Sequence, residues 1–137
     1  MTHAKFLDRL IAPSLEDIEA LAAQALADIP PVLREKVSGV LIRIEEFADE
    51  ETLGQMGIDD PFTLTGLYRG VPLKDKSLAD SGTMPDMIFL FRRPILDEWC
   101  ETGGSLGALV REVLIHEIGH HFGFSDDDMD ALDGEDQ

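Results

Sequence analysis

Residues 105–123 carry the pattern that most constrains this chain, because its spacing requires a helix with two histidines on one side. Ser105 is a favoured helix N-cap and Gly123 a common helix terminator. Apolar residues recur between them at helical spacing: Leu106, Leu109, Val110, Val113 and Ile118. His116 and His120 are four positions apart, so their imidazoles lie on the same face. The pattern therefore predicts a helix that directs two imidazoles at one metal ion.

The residues around these histidines are those of a hydrolytic zinc site. His116, Glu117 and His120 form H-E-x-x-H, in which the histidines bind the metal and the glutamate takes a proton from a metal-bound water. A turn at Gly123 would let Asp126 supply a third ligand, leaving the fourth position of Zn²⁺ open. Zn²⁺ is the expected metal, although Mn²⁺, Fe²⁺ or Co²⁺ could occupy the same ligands.

Two alternatives remain open at this site. The spacing favours Asp126 as the third ligand, but nearby acids could replace it: Asp127, Asp128 and Asp130. His116 and His120 could instead be hydrogen-bonded core residues, as isolated histidines often are. The additional match of Gly123 and Asp126, together with the helical context, favours a metal site.

The charge balance limits the classes of partner. The chain has 28 acidic residues against 11 Lys plus Arg, a formal net charge of −17. Nucleic acids and anionic membranes are bound through cationic side chains, so we expect neither as a partner. The acidity is compatible with a basic peptide or protein substrate, while solubility is the simpler explanation. The sequence does not indicate an oligomeric state.

Length and composition predict one domain. A chain of 137 residues with 44% apolar residues can bury a single core. We expect one domain over residues 1–137, with a flexible N-terminus at 1–13 and an acidic tail at 127–137. No apolar run is long enough to span a bilayer and no secretory signal is evident, which predicts a cytoplasmic protein. Cys100 is the single cysteine, and we expect a small buried hydrophobe rather than a reactive thiol.

The spacing of apolar residues, and the positions of Gly and Pro between apolar segments, predict an α+β fold in which helices flank a small mixed sheet of three or four strands. The expected helices cover residues 15–29, 32–36, 50–56, 94–99 and the segment after Ser105. The expected strands cover residues 37–47, 62–68 (the weaker) and 86–91. Residues 74–82 read as a polar loop.

A family resemblance rests on these motifs. H-E-I-G-H-H-F-G-F-S-D at 116–126 resembles the signature of zincin-like metallopeptidases, in the metzincin-related form HExxHxxGxxD, where an aspartate replaces the third histidine. G-L-Y-R-G-V-P at 66–72, and Pro85-Asp86 before an apolar strand, also resemble a family of small, single-domain bacterial zincins. The resemblance covers about residues 15–132.

The resemblance implies a minimal zincin fold, with zinc bound by His116, His120 and Asp126 and with Glu117 as general base. It implies peptidase activity without naming a substrate. One departure matters, because metzincins carry a methionine turn well downstream of the motif. Met129 is only three residues past Asp126, so the floor beneath the metal must be built differently.

The leading hypothesis is a zinc-dependent peptidase in which Glu117 activates the water. The alternatives are a non-proteolytic metal-binding interaction or regulatory module and a metal-dependent endoribonuclease. The net charge and the residues between the histidines weigh against the ribonuclease.

Further side chains are candidates for supporting roles. Tyr68, the single tyrosine, could stabilise an oxyanion, but packing or a structural hydrogen bond is favoured. Arg92 and Arg93 could meet a substrate carboxylate or simply end a strand in solvent. His121 points about 100° away from His120 on the helix, which predicts a supporting role rather than metal binding. The strand at 86–91 is the candidate edge for pairing with an extended peptide.

Overall fold

The computed structural model describes residues 2–70 and 85–125, and the structural statements below concern these ranges. Within them the architecture is α+β, as predicted, with the motif helix as the last element described. The elements are α1 (His3–Leu7), α2 (Leu15–Ala27), α3 (Pro31–Lys36), β1 (Leu41–Glu45), α4 (Glu50–Met56), β2 (Gly66–Arg69), β3 (Met87–Phe91), α5 (Arg92–Thr102) and α6 (Leu106–His121), with a 3₁₀ turn at Pro61–Thr63 before β2.

The three strands form a mixed sheet in the order β1-β3-β2. β1 runs parallel to β3, with Ile42 opposite Ile88, and β2 runs antiparallel to β3, with Gly66 opposite Leu90. β3 is therefore paired on both sides. The prediction that residues 86–91 offer a free edge to a peptide is wrong, because that strand is the centre of the sheet.

The core lies between one face of the sheet and helices α2 and α6. Ile88 and Leu90 project from β3 into a cluster with Ile18 of α2 and with Val110 and Leu114 of α6, and all five are buried. Each such side chain contributes about 1.5–3 kcal/mol when it leaves water. The metal-binding motif is thus carried by a helix that is itself part of the core.

Local signals explain most helix boundaries. Ser14 accepts a hydrogen bond from the Asp17 amide (3.1 Å), and Asp17 accepts one from the Ser14 amide (2.8 Å), which fixes the start of α2. α5 starts at Arg92, directly after β3 and two residues before the predicted start at Pro94. Proline is tolerated there because the first helical turn has no partners for its amides.

Other sequence predictions are shortened or corrected. β1 is shorter than the predicted 37–47, since residues 37–39 form a turn and 46–47 a bend, and β2 starts at Gly66 rather than at residue 62, since Pro61–Thr63 forms a 3₁₀ turn. Residues 2–13 include α1, which buries no residue. Cys100 is exposed, contrary to the expected burial. None of the helices described is long and apolar enough to cross a membrane. The loop predicted at 74–82 and the tail at 127–137 lie outside the described residues.

Candidate metal centre

α6 begins after Ser105 and ends before Gly123, as predicted from the sequence. Ser105 accepts a hydrogen bond from the Ala108 amide at 3.2 Å. At the other end Gly123 has φ 96°, and the Phe124 amide donates to the Gly119 carbonyl at 2.9 Å. A positive φ is adopted readily by glycine, which lets the chain turn away immediately after the helix.

His116, Glu117 and His120 come together on one side of α6. One potential ligand atom from each lies within 4.8 Å of the others. The two imidazole rings are 4.9 Å apart between centroids and nearly perpendicular, at 84°. Ligand atoms of a tetrahedral zinc with bonds of about 2.0–2.1 Å are roughly 3.4 Å apart. The two histidines therefore lie close enough to share a zinc-sized ion, with the Glu117 carboxylate beside it.

A backbone carbonyl outside this cluster, that of Phe124, fixes the orientation of the His120 ring. Its Nδ1 lies 2.8 Å from the Phe124 carbonyl oxygen, which can only accept, so Nδ1–H is the donor. Nε2 is then the nitrogen that can ligate a metal. A histidine ligand held through its other ring nitrogen by a backbone carbonyl is a common arrangement around zinc.

Gly66 allows β2 to lie directly against α6. A Cβ built at Gly66 would be 2.7 Å from Val113 Cγ1 and 3.3 Å from Glu117 Cγ. A larger residue fits this contact only if Val113 changes rotamer or the strand shifts away from the helix. No role for Gly66 was predicted from the sequence, in which an isolated glycine within a strand is the only signal of such a close approach.

A cleft of about 630 Å³ opens between α6 and the segment that contains β2. The three motif residues line one wall, residues 63–68 line the other, and Met56 and Phe124 also contribute. The Phe91 amide donates to the Thr65 carbonyl at 2.9 Å, so Thr65 is hydrogen-bonded to the strand opposite it. In an antiparallel pair every second residue is bonded in this way, and the residues between point their backbone N–H and C=O groups outward. The backbone groups of Gly66 and Tyr68 therefore point away from β3. β2 has no strand on that outer side among the residues described.

His121 belongs to a second, buried polar cluster. Its Nε2–H donates to the Lys36 carbonyl oxygen at 3.3 Å, and its Nδ1 faces the Tyr68 hydroxyl at 3.2 Å and Asp86 Oδ2 at 3.3 Å. The cluster fastens the end of α6 to β2, to the start of β3 and to α3. This is the supporting role predicted for His121, and the structural hydrogen bond favoured for Tyr68.

Burial raises the pKa of the Tyr68 hydroxyl above its usual value, and the charge and hydrogen bond of Asp86 raise it further. Tyr68 is therefore protonated throughout the physiological range. Asp86 was missed as a supporting residue, although an acid directly before a fully apolar strand was a signal for a buried partner.

Arg92 and Arg93 do not line the cleft. The Arg92 guanidinium bonds Glu46 at 2.9 Å, and its Nε–H donates to the Pro13 carbonyl at 2.6 Å. Arg93 lies over the ring of Phe47, 5.7 Å from its centroid. The expectation that they meet a substrate carboxylate is not supported, because both are committed elsewhere.

Asp126, the predicted third ligand, and the alternatives after it lie outside the described residues, which end at Ser125. Their roles stay predictions. A family model described as zincin-like metallopeptidase matches residues 37–135, a range that includes the whole sheet and α6. No curated protein matches the chain.

Proposed function

The chain belongs to the zincin-like metallopeptidase family, and we propose that it is a zinc-dependent peptidase. In this proposal His116, His120 and Asp126 hold the metal and Glu117 is the general base. The observation that carries the proposal is the convergence of His116, Glu117 and His120 within 4.8 Å beside an open cleft. Glu117 is buried beside both candidate ligands, where a general base would act, and a purely structural metal site would not need it.

Zinc at this site would polarise the scissile carbonyl and lower the pKa of the attacking water toward neutrality. Glu117 accepts a proton from that water and later delivers it to the leaving amine. Glu117 is buried, and its interaction with the reacting groups is stronger there than in bulk water. The Phe124 carbonyl holds His120 in the tautomer that keeps Nε2 available.

The substrate in this proposal is a peptide or protein segment in extended conformation. The outer edge of β2 supports this, because the backbone groups of Gly66 and Tyr68 face the cleft side and can pair with an added strand. β2 runs alongside α6, with Gly66 against Glu117 and Tyr68 against His121. A paired peptide would pass directly over the motif residues.

The overall acidity favours basic regions in the substrate outside the cleft. For the same reason we propose neither nucleic acid nor membrane as a partner.

The test combines metal analysis with a peptide-library digest. Wild type, Glu117→Gln and the control Glu112→Gln, an exposed acid on the same helix, are expected to hold one zinc per chain, and His116→Ala to lose it. Glu117→Gln is expected to lose cleavage while the control retains it. Stoichiometric zinc without cleavage of any peptide would favour a non-proteolytic metal-binding module. Absence of zinc from protein prepared without chelators would contradict both functions.

A further inference from the structure

A second depression, the α3–α6 groove, lies between α3 and the last turns of α6. Its volume is about 250 Å³, and its lining includes Leu33, Val37, Ile115, Ile118, Phe122 and Phe124. Among the described residues that line it, none carries a charged or polar side chain. This is unusual for the surface of a chain with a net charge of −17.

The rim of the groove is exposed to solvent. Leu33 and Ile115 are each 42% exposed and Phe124 is 44% exposed. Contiguous apolar surface is hydrated at a cost in free energy, and an apolar side chain seated in the groove would release that water. The chemistry of the lining fits an aliphatic or aromatic side chain, because it has nothing to satisfy a charge or a hydrogen bond.

Phe124 connects the groove to the cleft. It lines both depressions. Ile115 and Gly119, on the groove side, each precede a motif histidine by one position, so the two depressions flank the same end of α6. Because both depressions share Phe124, a polypeptide that leaves the cleft past this residue enters the groove.

We propose that the α3–α6 groove receives an apolar side chain of the same peptide substrate whose scissile bond lies in the cleft. This inference rests on the proposed function. A helix with its side chains is about 10 Å across, and an extended chain advances about 3.3 Å per residue. The apolar residue therefore lies about three to five positions from the cleaved bond.

The test measures binding separately from cleavage. A labelled peptide with leucine about four positions from the cleaved bond, and the same peptide with serine there, are titrated into the zinc-loaded Glu117→Gln protein. Leu33→Asp in that background is expected to weaken binding of the leucine peptide roughly tenfold or more. The matched control is Val32→Asp, since Val32 is on the same helix, is 66% exposed and does not line the groove.

Equal weakening by both substitutions, or by neither, overturns the proposal, as does equal affinity for the two peptides. Leucine-dependent binding that requires Leu33, in a protein that cleaves no peptide, would support the groove and refute the peptidase. Absence of binding by either peptide would contradict both. A melting temperature far lower for Leu33→Asp than for Val32→Asp would assign the groove to another part of this chain. A dimer that only Leu33→Asp dissociates would assign it to a second copy, and either result overturns the proposal.

Discussion

Gly66→Ala is expected to disturb fold stability and the candidate active site together. The added Cβ would lie 2.7 Å from Val113 Cγ1 and 3.3 Å from Glu117 Cγ, whereas non-bonded carbons rest about 3.5–4.0 Å apart. The same Cβ would be 3.3 Å from the Phe89 carbonyl oxygen. Because β2 is held by its hydrogen bonds to β3, the overlap is relieved only if Val113 changes rotamer or β2 shifts away from α6.

The magnitude follows from the size of this overlap. Forcing an additional carbon into a packed contact costs about 1–3 kcal/mol, which in a domain of this size lowers the melting temperature by roughly 3–10 °C. Glu117 Cγ, at 3.3 Å, must also give by a few tenths of an ångström. Since a misplacement of about 1 Å costs on the order of a hundredfold in rate, this smaller shift is expected to cost roughly several-fold. The loss is expected in kcat more than in zinc affinity, since the three atoms nearest to the new methyl group belong to Val113, Glu117 and Phe89 and not to either histidine.

The assay is thermal unfolding of the zinc-loaded protein combined with steady-state cleavage of a peptide selected from the library. Gly54→Ala is the control, because Gly54 lies within α4 and has no atom within 4 Å of its built Cβ. That substitution is expected to stabilise the protein by about 0.5–1 kcal/mol through helix propensity. A Gly66→Ala protein with the melting temperature and kcat of wild type would refute the argument that β2 needs glycine to approach α6.

Three further predictions follow from the polar cluster and the helix exit. Tyr68 is the single tyrosine, so the absorbance of tyrosinate reports the ionisation of this one hydroxyl. Half-ionisation is expected above pH 10 in the folded protein and at about pH 10 after unfolding in urea. Because the pKa of Tyr68 is higher in the folded than in the unfolded protein, the protonated hydroxyl stabilises the fold below about pH 10, and this stabilisation is lost as the pH rises further. Identical titration curves for the folded and unfolded protein would contradict this prediction. His121→Phe leaves the buried Asp86 without its imidazole and is expected to cost about 3 kcal/mol in urea unfolding, and a change of only a few tenths would count against the cluster. Gly123→Ala places a side chain at φ 96° and is expected to destabilise the protein by about 1–2 kcal/mol and to weaken zinc binding, which calorimetry would measure.

The motif helix was predictable because its determinants are local. The Ser105 cap, the apolar spacing and the Gly123 exit all act within a few residues, and the structure has α6 from Leu106 to His121 as expected. The same holds for α2 and α4, which were predicted at 15–29 and 50–56 and which begin directly after the side-chain caps Ser14 and Asp49. Such signals determine whether a helix forms, and they place the two histidines on a common side.

Strand pairing and side-chain partners were not predictable, because they depend on residues far apart in sequence. An apolar strand at 86–91 could lie at the centre or at the edge of a sheet. Its pairing with both β1 and β2 places it at the centre. Arg92 is held by Glu46, which lies 46 positions away. Cys100 is exposed because of the face of α5 on which it falls, which periodicity in a short helix does not resolve. The contact of Asp86 and Tyr68 with His121 is likewise invisible before the chain is folded.

His120 and His121 are adjacent in sequence but face different surroundings. His120 lines the cleft, whereas His121 is anchored to three other elements through Lys36, Tyr68 and Asp86. The end of α6 is therefore secured by protein contacts that do not involve a metal. We expect the metal-free protein to keep α6 folded and its ligands preorganised, so that zinc exchange proceeds without unfolding. In this respect the protein would differ from zinc fingers, whose folding and metal binding are one event.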